Sequence, residues 1–136
     1  MSYLIDTNVL SELARSSPAT GVLAWFRDVD DAQLHLSVLT VGELRRGVER
    51  LAPGKRQEGL RRWLEYDIPR RFEQRLLPVD AAVADRWGRL CADVGRTLPA
   101  VDGLLAATAL RHDLRLVTRN VKDFAATGVA LVNPWD

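Results

Sequence analysis

Short apolar runs that close on a polar or acidic residue, each followed by apolar residues at helical spacing, recur along this chain and restrict it to one class of fold. Tyr3-Leu4-Ile5 closes on Asp6-Thr7, after which Val9, Leu10 and Leu13 share a helical face. Residues 34–37, 76–79, 114–118 and 129–132 read as four further strands. Ser17-Pro18 supplies a cap followed by proline at the first helical position, opening a helix through Val22, Leu23, Trp25 and Phe26. Thr40-Val41-Gly42-Glu43 matches a capping box before a helix over 44–51, which puts Glu43 in a first turn.

Pro53-Gly54 then begins a pair of helices, the second with Leu60, Trp63 and Leu64 on one side and Arg61 and Arg62 near the other, interrupted at Pro69. Asp80 caps a helix carrying Val83, Ala84, Trp87, Leu90, Cys91 and Val94. Residues 101–112 are apolar nearly all round, the mark of a helix packed on a sheet, and Asn120 to Phe124 form a turn or short helix. Strands alternating with helices predict an α/β fold: three α/β/α layers around a mostly parallel sheet of about five strands. At 136 residues the whole chain, 1–136, reads as a single domain with a core large enough to need no covalent staples.

Composition narrows the chemistry. Apolar residues make up 47% and charged residues 27%, which excludes a disordered chain. No apolar run approaches the roughly 18 residues of a membrane span, and Met1-Ser2-Tyr3-Leu4-Ile5-Asp6 lacks a basic leader, so a cytoplasmic protein without a membrane partner is expected. Cys91 is the sole cysteine, and His35 and His112 have no second imidazole at ligand spacing. Any metal chemistry here must therefore use oxygen ligands, which favours magnesium or manganese over zinc.

Four acids fall where such a fold gathers its loops: Asp6 after the first strand, Glu43 and Asp102 at helix starts, and Asp123 after the fourth strand. Each alone could be a cap or a turn residue. Together, with no basic residue directly beside the first three, they would repel one another in one cleft unless a cation compensates them. A divalent ion held by Asp6, Glu43, Asp102 and Asp123 would polarise a phosphodiester and activate water, with no need of a protein nucleophile. Thr7, Asn8, Ser37, Thr118 and Asn120 are short polar neighbours that could orient ligands or waters, or serve as caps and turns. No phosphate-binding glycine loop, nucleophile elbow or Cys-His pair offers another mechanism.

The charge is uneven although the net is only +1: residues 45–75 hold ten basic and five acidic side chains, while residues 1–44 hold two and six. A basic segment beside an acidic pocket suits a nucleic-acid substrate, although charge alone fits a solvated helix face better. Arg45, Arg46, Arg61, Arg62 and Trp63 are the candidates there for contact with RNA or with a protein partner, and Leu60, Trp63 and Leu64 could line a groove for a partner helix.

In order and over the full length, these motifs resemble the PIN-domain ribonucleases, within them the VapC toxins of bacterial toxin–antitoxin pairs. The resemblance rests on residues 4–12 (Leu-Ile-Asp-Thr-Asn-Val-Leu-Ser-Glu), 36–48 around Glu43, 102–109 around Asp102, and 117–124 around Asp123. The closing Val132-Asn133-Pro134-Trp135 is similar to the FitB branch. The resemblance implies an endoribonuclease dependent on Mg²⁺ or Mn²⁺ that cuts structured RNA of the tRNA or rRNA class. It also implies silencing by a small VapB-like antitoxin, a homodimer, and a larger toxin–antitoxin assembly that meets DNA only through the antitoxin. Asp6, Glu43 and Asp102 carry over as the acidic metal site. Relatives place the fourth acid either where Asn120 stands or three residues later; Asp123 is the choice here, with Asn120 as a hydrogen-bonding neighbour.

Two other readings differ in class. An aspartate-nucleophile phosphatase also places Asp after its first strand, but it usually wants a second Asp two residues on, where Asn8 stands. A catalytically silent PIN-like module would bind RNA or protein without cutting.

Overall fold

The computed structural model describes residues 1–136. Five strands, β1 (Tyr3–Ile5), β2 (Leu34–Ser37), β3 (Leu76–Leu77), β4 (Arg115–Val117) and β5 (Leu131–Val132), form one sheet in the order β3-β2-β1-β4-β5. Every neighbouring pair is parallel, and central Leu4 stands between His35 of β2 and Leu116 of β4. The expected α/β architecture is borne out, with a sheet parallel throughout. Most strands are shorter than their apolar runs, because hydrogen-bonded pairing ends before the flanking apolar residues do.

Side chains alternate across a strand, so a sheet covered on both faces is apolar at every position. Ile5, Leu34, Leu36 and Val117 face one core, completed by helices α1 (Thr7–Leu13), α2 (Thr20–Asp28), α3 (Val38–Glu49), α4 (Lys55–Arg62) and α5 (Ile68–Arg71). Leu4 and Leu116 face a second core, under α6 (Ala81–Val94), α7 (Ala100–Arg111) and α8 (Val121–Phe124). Phe72 anchors the first and Phe124 the second, each 1% exposed. Gly103 lets α7 approach α6 closely, for a Cβ there would meet the Trp87 indole nitrogen at 2.9 Å.

Chain order fixes where a ligand can enter. From β1 the chain builds outward to β2 and β3, then crosses back to lay β4 and β5 on the other side of β1. The loops after β1 and β4 therefore diverge at the carboxyl ends of adjacent strands, the position where open parallel sheets bind ligands. Asp6 is the first residue after β1, and Thr118 the first after β4.

Several local expectations are corrected. The second helix opens at Thr20, not at Ser17-Pro18, because the buried Glu12 carboxylate accepts the Ala19 N–H at 2.8 Å and fixes the start there. Helix α3 begins at Val38, capped by the Ser37 hydroxyl, which accepts from Leu39 N–H at 3.0 Å. Thr40 is thus a fully buried helix residue, and Glu43 lies in the second turn, not the first. Pro69 does not interrupt its helix: residues Trp63–Asp67 widen into a π turn, Ile68 N–H bonds to the Trp63 carbonyl, and the proline continues from there. Leu60 and Trp63 are partly buried and line one cavity, whereas Leu64, 4% exposed, lines a separate one of about 270 Å³ with Val41, Ile68 and Phe72, so the three do not share one groove.

Candidate active site

Asp6 is held by its neighbours on every side. As the cap of α1 it accepts the Thr7 N–H at 2.7 Å on Oδ1, while Oδ2 accepts the Thr118 hydroxyl at 2.8 Å and the Asn8 amide at 3.2 Å. Asn8 in turn accepts Arg119 N–H at 3.2 Å, tying the start of α1 to the loop after β4. Asn120 N–H donates to Thr118 Oγ1 at 3.0 Å; the Asn120 side chain does not cap α8. Ser37, the other short polar residue singled out, is spent on capping α3.

Glu43 is oriented from α1. The Thr7 hydroxyl lies 2.5 Å from Glu43 Oε1 and 3.3 Å from Thr40 Oγ1. Its single proton goes to the carboxylate, the stronger acceptor, so Thr40 must donate to Thr7. Thr40 is a residue that sequence reasoning missed: its resemblance to a helix cap hid it, although Ser37 at the strand end offered the better cap. Arg46, one turn along α3, approaches Glu43 to 3.9 Å, so this acid is not wholly without a cation.

Asp102 stands in the first turn of α7 and Asp123 in the first turn of α8. Together with Arg96, Pro99 and Lys122 they line a cavity of about 220 Å³. Glu43 lies at the border of a second cavity of about 180 Å³, walled by Leu44, Val48, Leu51, Leu60 and Trp63 between α3 and α4. The acids are close enough to sense one another. Burial raises the Asp6 carboxyl above its ordinary range, against the hydrogen bonds from Thr118 and Thr7, and the charges of Glu43 and Asp102 raise it further. Asp102 is raised by burial first, then by Asp123 and Glu43. No three carboxylate, imidazole or thiol groups are drawn into a tight cage, so the four acids border one region without enclosing a point.

Within the basic segment Arg45 and Arg61 are engaged by the segment's own acids, while Arg46 and Arg71 reach Glu43 and Asp31 outside it. Arg61 grips Glu49 through two bonds of 2.7 and 3.0 Å, and Arg45 bridges Glu49 and Glu65 at 3.2 and 2.9 Å. Arg61 and then Arg45 hold the Glu49 carboxyl down at about 2. Arg62 is exposed and forms no ion pair.

The PIN-domain family model matches residues 3–129. The chain belongs to the PIN-domain family. This PIN domain is 40% identical over 135 residues to Toxin FitB of Neisseria gonorrhoeae, covering 97% of both chains. It is 35% identical over 136 residues to VapC ribonuclease Y4jK of Sinorhizobium fredii, covering 98% of this chain and 97% of that one. Among solved structures, FitAB bound to an IR36 DNA fragment matches with a TM-score of 0.93 and 37% identity, over 98% of this chain and 96% of that one. The expected resemblance to the VapC and FitB toxins of toxin–antitoxin systems is thereby borne out, and with it the assignment to a family of nucleases.

Proposed function

We propose that this PIN domain is the toxic half of a toxin–antitoxin pair, an endoribonuclease that hydrolyses phosphodiester bonds in structured RNA of the tRNA or rRNA class. The observation that supports the reading is that Asp6, Glu43, Asp102 and Asp123 border one region and sense one another's charge, burial and repulsion raising Asp6 and Asp102. An all-oxygen donor set of this charge suits Mg²⁺ or Mn²⁺, and a hydrated ion does not need a closed cage. When bound, such an ion supplies polarisation of the phosphodiester and activation of water.

The chain's own residues do the arranging. Asp6, Glu43, Asp102 and Asp123 would hold the ion; Thr118 and Asn8 fix Asp6, and Thr7, backed by Thr40, fixes Glu43. A phosphatase using Asp6 as nucleophile is disfavoured because the second acid such chemistry wants two residues on is Asn8, which serves instead as a hydrogen-bond donor to Asp6.

A VapB-like antitoxin is the natural partner for the groove of Leu44, Val48, Leu51, Leu60 and Trp63, which ends at Glu43. An arginine or lysine of that partner reaching Glu43 would replace the ion's charge and silence the site. The single-domain toxin then functions as a homodimer within a larger assembly, touching DNA through the antitoxin. Expression of the chain and of its Asp6→Asn variant without antitoxin, with mapping of new RNA 5′ ends, tests the proposal. Cuts are expected only from the parent and only with magnesium or manganese; RNA left intact by the parent in both metals would overturn it.

A further inference from the structure

The cavity beside Asp102 and Asp123 holds two cations that the acids do not neutralise. Arg96 follows Gly95, whose left-handed backbone (φ 70°) ends α6 and turns the chain toward α7; Lys122 precedes Asp123 on α8. Both line the same cavity of about 220 Å³ as the two acids, both are exposed, and neither lies within ion-pair distance of any carboxylate. Arg45 and Arg61 of the basic segment differ in this respect, being bound to Glu49 and Glu65. Two free cations and two acids facing one opening make a site for a phosphate accompanied by a metal ion: the acids take the ion, the cations take the phosphate oxygens.

We infer that Arg96 and Lys122 clamp a backbone phosphate of the RNA at the Asp102–Asp123 side of the site, and so position the strand for cleavage. The inference rests on the endoribonuclease reading and adds to it where the strand is gripped. Arg96 offers a forked donor for two oxygens and Lys122 a point charge. Their separation in sequence, Arg96 before α7 and Lys122 on α8 after it, allows them to reach one phosphate from different segments.

The test uses Arg96→Gln, Lys122→Gln and the double variant, with Arg111→Gln at the far end of α7 as a charge-matched control. KM for the parent's RNA substrate is expected to rise about tenfold for each single variant, with kcat changed far less and the melting temperature unchanged. The slope of log K against log salt for binding a fluorescein-labelled single-stranded RNA, measured on the Asp6→Asn background, should fall in magnitude by about 0.7 for each cation removed. Arg111→Gln should leave both readouts where they were. A double variant with parental KM and salt slope would overturn the inference even though the parent cuts RNA. If the parent cuts nothing, the endoribonuclease reading fails, and an unchanged binding slope would then overturn the clamp separately.

Discussion

The Thr7 hydroxyl donates to Glu43 Oε1 at 2.5 Å across 36 residues of sequence, joining the helix that follows the first strand to the helix that follows the second. Thr40 lies behind it at 3.3 Å, fully buried, so the orientation of Glu43 is set from inside the protein. Thr7→Val keeps the shape and removes the donor. It should lower RNA cleavage by about 10- to 100-fold and, because the buried Thr40 hydroxyl loses its acceptor, lower the stability by about 1 to 3 kcal/mol; Thr7→Ser should restore most of both.

Asp6 works at the expense of the fold. Its carboxylate is buried beside other acids, so without a divalent ion Asp6→Asn should be the more stable protein, by about 1 kcal/mol. The amide can still accept from Thr7 N–H, and the Thr118 hydroxyl can turn to accept from it, while the weaker bond from the Asn8 amide is lost. Urea denaturation in EDTA reads the difference; adding magnesium should raise the midpoint of the parent and leave that of the inactive variant. A variant less stable than the parent in EDTA would show that the hydrogen bonds outweigh the buried charge.

Acid should expose the work of Glu12. The Ala19 N–H, then Arg15, holds its carboxyl below the ordinary glutamate value of 4.5, so the folded protein keeps it ionised where the unfolded chain has taken up a proton. Its stabilising contribution is therefore complete above pH 4.5 and is lost as the pH falls through the lower folded value. The gap in melting temperature between the parent and Glu12→Gln should be widest near neutrality and close as the pH drops below 4.5. Glu49, held at about 2, loses its partners later, but its pairs are exposed and screened by salt. A gap that stays constant with pH would remove the charge from the explanation.

Gly21 is where the C-terminal segment lies against α2. A Cβ there would sit 2.6 Å from the Pro134 carbonyl oxygen, so Gly21→Ala should destabilise the protein by about 1 to 3 kcal/mol. Gly59, within α4 and with open space around it, should behave oppositely: Gly59→Ala should stabilise by about 0.5 to 1 kcal/mol. Paired chemical denaturation curves of the two variants check both signs.

Much of this was legible before any coordinates. Hydrophobic periodicity located β1 and the central α7, and the strand–acid–helix succession put Asp6 at the edge where the sheet opens. The boundaries that failed depended on partners distant in sequence or on competing local devices. Ser37 and Thr40 both look like caps, and only the end of pairing in β2 decides for Ser37. Glu12 holds the start of α2 from seven residues away, beyond any local rule. Pro69 normally ends a helix, yet the wider turn before it absorbs the missing donor and the crowded ring. The unpaired cations near the acids were invisible for a similar reason. Composition pointed to residues 45–75, where ion pairing consumes Arg45 and Arg61, whereas the free cations of the Asp102–Asp123 cavity come from the loop after α6 and from the short helix α8, segments of unremarked charge.

The outermost strands, β3 and β5, are two residues long. Each presents so few free backbone amides and carbonyls that a neighbouring molecule could not lengthen the ribbon by main-chain zippering. Self-association, and capture by an inhibitor, must then be built from side chains on the outer helices, which leaves recognition open to change by point mutation without disturbing the scaffold that carries the acids.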